Sequence, residues 1–149
     1  MKFVVDTNVL FSFFKKETKT RNLILSDMLE LYAPEIARKE LQKHSLILIK
    51  KANISLSDFN ELTSLLEEHL KFVPLAEYKA EFPQALTYTK EFSYTDIKEF
   101  LDDLDFFALA TKQQCQLWSN DALFKKQKAI NVLNTAEMVT YFRVHKRSE

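Results

Sequence analysis

The stretch Lys2-Phe3-Val4-Val5-Asp6-Thr7-Asn8-Val9-Leu10 decides the fold. Its first part, Lys2–Val5, reads as a short buried strand and stops at a carboxylate, Asp6. From Thr7 the period changes. Val9, Leu10, Phe13 and Phe14 recur at helical spacing, so Thr7–Lys16 reads as a helix. A buried strand that feeds directly into an amphipathic helix is the beginning of a βαβ unit. The acid at the junction has two readings. It caps the helix, or it is held for chemistry, because a carboxylate at the end of a buried strand is costly unless paired, hydrogen-bonded or metal-bound.

Outward from this stretch the same alternation continues. Thr18–Leu29 reads as a helix, Glu30–Ala33 as a strand stopped by Pro34, and Pro34–Lys50 as a helix again. Ser55 or Ser57 caps a helix running to about Leu70. Phe72–Leu75 is a candidate strand that Pro74 pushes to an end or an edge. Ala76–Phe92 is helical in composition with an interruption at Pro83, and Ser93–Lys98 reads as a loop. Asp102–Gln114 is a strong helix, Gln116–Trp118 a strand, Asp121–Gln127 a helical turn or two, Ile130–Leu133 a strand, and Thr135 opens a last helix. Strands separated by helices imply a parallel sheet covered on both faces, with ligands beyond the carboxyl ends of the strands.

Composition narrows the function. With 149 residues and 46% hydrophobic content, the chain suits one domain with a real core. Net charge is zero, so a globally basic nucleic-acid binder is not signalled, although a local basic patch remains open. Glycine is absent altogether, which excludes a P-loop and a dinucleotide fingerprint and disfavours an all-β fold. No apolar run reaches the ~20 residues of a membrane span. Asp6 sits where a signal peptide would have its apolar centre, so secretion is not expected. The single Cys115 fits a reducing, cytoplasmic setting and reads as a small buried residue.

The acids carry the chemical signal. Asp121 repeats the situation of Asp6, following Leu117-Trp118-Ser119-Asn120 at a strand end. Asp102, Asp103 and Asp105 stand at the start of a helix, where they suit its dipole yet repel one another. Full exposure or a divalent cation relieves that repulsion. Glu40, in Arg38-Lys39-Glu40-Leu41, reads by itself as a surface residue. No other set competes: His44, His69 and His145 are scattered without zinc-ligand spacing, and Ser119 lacks a nucleophile-elbow context.

Together these residues resemble the PIN-domain nucleases. Val4-Val5-Asp6-Thr7-Asn8 resembles the opening motif of that family, and Glu40-Leu41 on the helix after the second strand resembles the second. Asp103-Leu104-Asp105-Phe106-Phe107-Ala108-Leu109-Ala110 resembles the third, and Trp118-Ser119-Asn120-Asp121 the fourth. Asn131–Glu137 resembles the closing strand and helix start. The resemblance runs from residue 3 to about 142 and implies one domain, 1–149, with a three-layer α/β/α fold around a mostly parallel sheet.

The resemblance also implies a metal-dependent endoribonuclease that hydrolyses RNA phosphodiester bonds, as in the VapC-type toxins of toxin–antitoxin pairs. Asp6, Glu40, Asp103 and Asp121 would be the catalytic acids and would hold Mg²⁺ or Mn²⁺, since carboxylates favour hard cations. The family's third acid aligns with Asp103, with Asp105 the alternative ligand. Asn8, Ser119 and Asn120 would orient carboxylates or water. Lys15, Lys16, Arg38, Lys39, Lys125 and Lys126 lie near the motifs and read either as a solvated surface or as attractors of phosphate. An RNA substrate, a protein antitoxin and a homodimer are the implied partners. A catalytically silent RNA- or protein-binding module, a housekeeping RNA-processing nuclease and a phosphotransferase using Asp6 as nucleophile are the alternatives. The last expects a second Asp where Asn8 stands.

Overall fold

A computed structural model of the chain describes residues 1–15 and 19–147. Among the described residues the strands are β1 (Lys2–Val5), β2 (Glu30–Pro34), β3 (Leu70–Val73), β4 (Gln116–Trp118) and β5 (Val132–Leu133). They form one sheet in the order β3-β2-β1-β4-β5, and every neighbouring pair is parallel. The helices are α1 (Thr7–Phe13), α2 (Lys19–Ile24), α3 (Glu35–Lys43), α4 (Ser45–Ala52), α5 (Leu56–His69), α6 (Phe82–Leu86), α7 (Tyr94–Asp102), α8 (Leu104–Gln113) and α9 (Thr135–Arg147). The architecture is the expected three-layer α/β/α sandwich. Successive strand side chains face opposite sides, yet Phe3, Val4 and Val5 are all fully buried, so helices cover both faces of β1.

The order of the strands creates a natural place for a ligand. The chain moves outward from β1 through β2 to β3, then returns to the other flank of β1 with β4. This places a topological switch point between β1 and β4, the place where open α/β sheets bind ligands. The buried run Phe106–Ala110 lays α8 across β1, β2 and β4. Phe107 packs against Phe100 of α7 and Phe124, with ring centroids 4.4 and 4.9 Å apart. These contacts fasten the start of α8 to the segment that follows β4.

Several boundaries differ from the sequence reading, each for a local reason. Lys16 and Thr18, expected at the ends of the first two helices, lie outside the described residues. α2 ends at Ile24 rather than Leu29, because a turn at Ser26, whose Oγ accepts from the Met28 amide, diverts the backbone. Pro34 does not stop β2. It is the strand's last residue, paired with Val73, and the lead-in to α3. The single helix expected to Lys50 breaks at His44 into α3 and α4. β3 is an edge strand, as Pro74 implied, but it begins at Leu70. Pro83 sits in the first turn of α6 instead of interrupting a helix.

Ser93–Lys98 is not a loop. Ser93 Oγ accepts from the Asp96 amide at 3.1 Å and caps α7. Consequently α8 starts only at Leu104: Asp102 ends α7, Asp103 occupies the junction, and Asp105 alone lies in the first turn of α8. The turn after β4 is a 3-10 segment, Ala122–Lys126, and β5 shrinks to two residues. Without glycine, the chain makes its left-handed helix ends with Asn53 and Gln114, at φ 54° and 52°. Among the described residues no helix is long and apolar enough to cross a membrane.

Candidate active site

Sheet register builds the first part of the site. Val5 pairs with Trp118 in the parallel ladder, and the Asp6 amide extends that ladder to the Trp118 carbonyl at 2.9 Å. The next residues along each strand, Asp6 and Ser119, therefore stand side by side although 113 positions separate them. Ser119 Oγ donates to Asp6 Oδ2 at 2.7 Å and accepts from the Asp121 amide at 3.0 Å. One hydroxyl thus ties the end of β1 to the end of β4.

The helix-cap reading separates the two aspartates. Asp121 does cap, its Oδ1 accepting from the Leu123 amide at 2.9 Å. Asp6 occupies the cap position of α1 but makes no side-chain capping bond. The residue is buried, 4% exposed, and its carboxyl is held by Ser119 instead. Burial pushes its pKa up to about 6, against the pull of hydrogen bonds from Ser119 and the Thr7 amide, and the charges of Asp121 and Glu40 add to the rise.

Asp103 behaves in the same way. Burial at the α7–α8 junction, then the charges of Asp6, Asp121, Asp102 and Glu40, raise its pKa to about 7. Glu40 and Asp121 therefore lie within electrostatic reach of both Asp6 and Asp103, although the four acids come from four separate segments. As the side chains lie, no three His, Cys, Asp or Glu residues among those described stand close enough to enclose a metal ion.

The remaining sequence candidates divide. Asp105 is engaged elsewhere: the buried Tyr78 donates its hydroxyl to Asp105 Oδ2 at 2.5 Å. Burial, and then this carboxylate, holds the Tyr78 hydroxyl far above the usual tyrosine range. Asn8 is exposed. Asn120 accepts from the Thr135 amide at 2.8 Å, which engages it at the start of α9. Arg38 pairs with Glu67, Lys125 with Glu137 and Lys126 with Asp96. Lys15 and Lys39 are exposed and have no ion-pair partner among the described residues, and Lys16 lies outside them. Cys115 is half-buried just before β4, and burial pushes its thiol up to about 11, which disfavours the reactive thiolate at neutral pH.

Two residues escaped the sequence reading. Thr7 Oγ1 is buried and finds no hydrogen-bond partner among the described residues, although it adjoins Asp6. Its signal lay in the Asp6-Thr7-Asn8 motif itself. Tyr78 gave none, since nothing in its neighbourhood points to an aspartate 27 positions on.

A wholly parallel sheet with this order, and acids gathered from four segments near its switch point, define a family of α/β/α domains. The chain belongs to the PIN-domain family, whose model matches residues 4–143. PIN domains are generally nucleases, and hence hydrolases, and they typically use divalent metals. Among solved structures the chain is similar to one described as VapBC2 from Rickettsia felis bound to a DNA fragment from their promoter. The likeness has a TM-score of 0.63 at 15% identity and covers 90% of this chain and 98% of that one. No curated protein matches the chain.

Proposed function

We propose that this chain is a Mg²⁺- or Mn²⁺-dependent endoribonuclease of one domain, residues 1–149, that hydrolyses RNA phosphodiester bonds. The observation that carries the reading is the buried Asp6 carboxyl, held by Ser119 and coupled electrostatically to Glu40, Asp103 and Asp121. The donor set fits a hard divalent cation, being all carboxylate with no His or Cys. The buried Thr7 hydroxyl beside Asp6, which has no hydrogen-bond partner among the described residues, is a further oxygen suited to an internal water.

In this reading Asp6 is the fixed ligand, because Ser119 locks its orientation. Glu40 and Asp103 are only partly buried and their charges are felt at the Asp6–Asp103 pair, while Asp121 keeps one oxygen on the Leu123 amide. Asp105, committed to Tyr78, stays out of the ligand set. A bound ion would supply an activated water and neutralise charge developing on the phosphate. With Asp103 raised to about 7 and Asp6 to about 6, metal and proton compete for these two carboxylates near neutral pH.

The likeness to VapBC2 supports a toxin held in check by an antitoxin, and the reading includes a cytoplasmic homodimer. The test is cleavage of a broad RNA panel by purified, inhibitor-free protein with Mn²⁺ or Mg²⁺, against the same mixture with a chelator. Metal-dependent cutting that Asp6→Asn abolishes is the expected result. Wild-type protein that binds RNA but cuts none under either metal overturns the enzyme in favour of the silent module. Growth arrest on expression, relieved by an adjacent gene, separates a toxin from a housekeeping nuclease.

A further inference from the structure

An acidic nuclease site repels the strand it must cut, so the cations and stacking surfaces that seat the strand lie outside the carboxylates. Of the cations named near the sequence motifs, Arg38, Lys125 and Lys126 are spent on Glu67, Glu137 and Asp96. A different set lies together between α1 and α4. There a cavity of about 300 Å³ is lined by Phe11, Phe14, Lys15, His44, Ile47 and Lys51 among others, and no carboxylate among the described residues lines it. Lys15 and Lys51 have no ion-pair partner among the described residues. The rings of Phe11 and His44 meet edge to face with centroids 5.9 Å apart, and Ile47 is 52% exposed beside them.

The cavity's place ties it to the acids. His44 ends α3, and its amide donates to the Glu40 carbonyl one turn earlier. The cavity therefore opens about one helical turn, ~5 Å along the axis, from the Glu40 position. Its size selects the occupant. A partner helix ~10 Å across needs an elongated groove, whereas a compact space at the small end of ligand pockets suits one planar base with its sugar. Cations and aromatic rings, with no acid among the described residues, suit an anionic strand whose bases stack.

We propose that this cavity is a base-binding subsite for single-stranded RNA, seating a nucleotide that flanks the scissile phosphate. It rests on the ribonuclease reading above. Lys15 and Lys51 hold the backbone phosphates, and the Phe11–His44 edge with Ile47 receives the base. The binding is tolerant of sequence, because stacking accepts any base.

The test is fluorescence anisotropy of labelled octauridine and octaadenosine with the intact protein in a chelator, where no metal-dependent cutting occurs. Lys51→Glu and Ile47→Glu change exposed side chains and leave the carboxylates untouched; Lys90→Glu, on another segment, is the control. Each cavity variant should weaken binding of both oligomers about fivefold or more, and Lys51→Glu should lower the salt slope by about one. A 5-iodouridine oligomer should cross-link to Phe11 or His44. Wild-type binding that neither cavity variant alters, with cross-links elsewhere, overturns the subsite, leaves the nuclease reading standing and assigns the cavity to a protein partner. Wild-type protein that neither binds nor cuts RNA overturns both.

Discussion

Replacing Asp6 by Asn should stabilise the metal-free protein at neutral pH while destroying its activity. Asn keeps the shape of the side chain and an oxygen that accepts from Ser119, but removes the buried charge. In the folded protein Asp6 ionises at about 6, against 3.8 for the free side chain. Below 3.8 both folded and unfolded chains carry the proton and nothing is lost. Between about 4 and 6 the unfolded chain ionises first, so stability falls as pH rises, and the full cost stands above about 6.

The gap of roughly two pH units corresponds to about 3 kcal/mol at 1.36 kcal/mol per unit. Part of it is shared with Asp103, which ionises in the same field, so removing one charge also eases the other. A net gain of about 1–2 kcal/mol at pH 7.5 is expected, or roughly 2–8 °C in Tm for a chain of this size. Thermal melts of both proteins in a chelator at pH 4 and pH 7.5 measure it. The variant should melt higher at pH 7.5, and the difference should shrink at pH 4. Mn²⁺ should reverse the order at pH 7.5, because only the wild type gains from binding. An Asn variant that melts lower at pH 7.5 in chelator, or a difference independent of pH, would refute the reasoning.

Asp103→Asn should abolish cleavage with the fold intact. Asp105→Asn should lower stability by about 1–3 kcal/mol, through the weakened bond to buried Tyr78, while retaining metal-dependent cutting; melts and cleavage assays run side by side measure the split. Ser119→Ala removes a hydrogen bond that lowers the Asp6 pKa, so the pH at which Mn²⁺ half-occupies the protein should move upward in calorimetric titrations, with a stability loss of about 1–3 kcal/mol. Gln114→Gly relieves a side chain held at φ 52°, and should raise stability by about 1 kcal/mol in denaturant melts, without touching activity.

Much of this protein was legible locally. The change from a strand period to a helix period at Asp6, repeated along the chain, specifies parallel strands with intervening helices, because periodicity decides which face each segment buries. Pro74 marks a strand end or an edge, since it lacks a donor for the ladder, and β3 is both: it stops at Val73 and lies at the edge of the sheet. The acids at strand ends and their order were likewise visible, as was the family they resemble.

Other features depended on which segments meet. Ser93–Lys98 is polar enough to read as a loop; Phe100 buried against Phe92 and Phe107 makes it the start of a helix, and that shift moves Asp103 out of the first turn of α8 into a junction. The choice between Asp103 and Asp105 rests on Tyr78, whose hydroxyl reaches Asp105 across 27 positions. No local pattern encodes that bond. The same holds for Asp6: its sequence context fits a helix cap, and only the Val5–Trp118 register brings Ser119 to its carboxyl and takes it out of that role. The sequence by itself determined the strands, most of the helices, their order and the acids, because these follow from local period and residue chemistry. The tertiary structure alone decided which acid is buried, which is diverted and which cations are spent, because burial and pairing are set by neighbours distant in the chain.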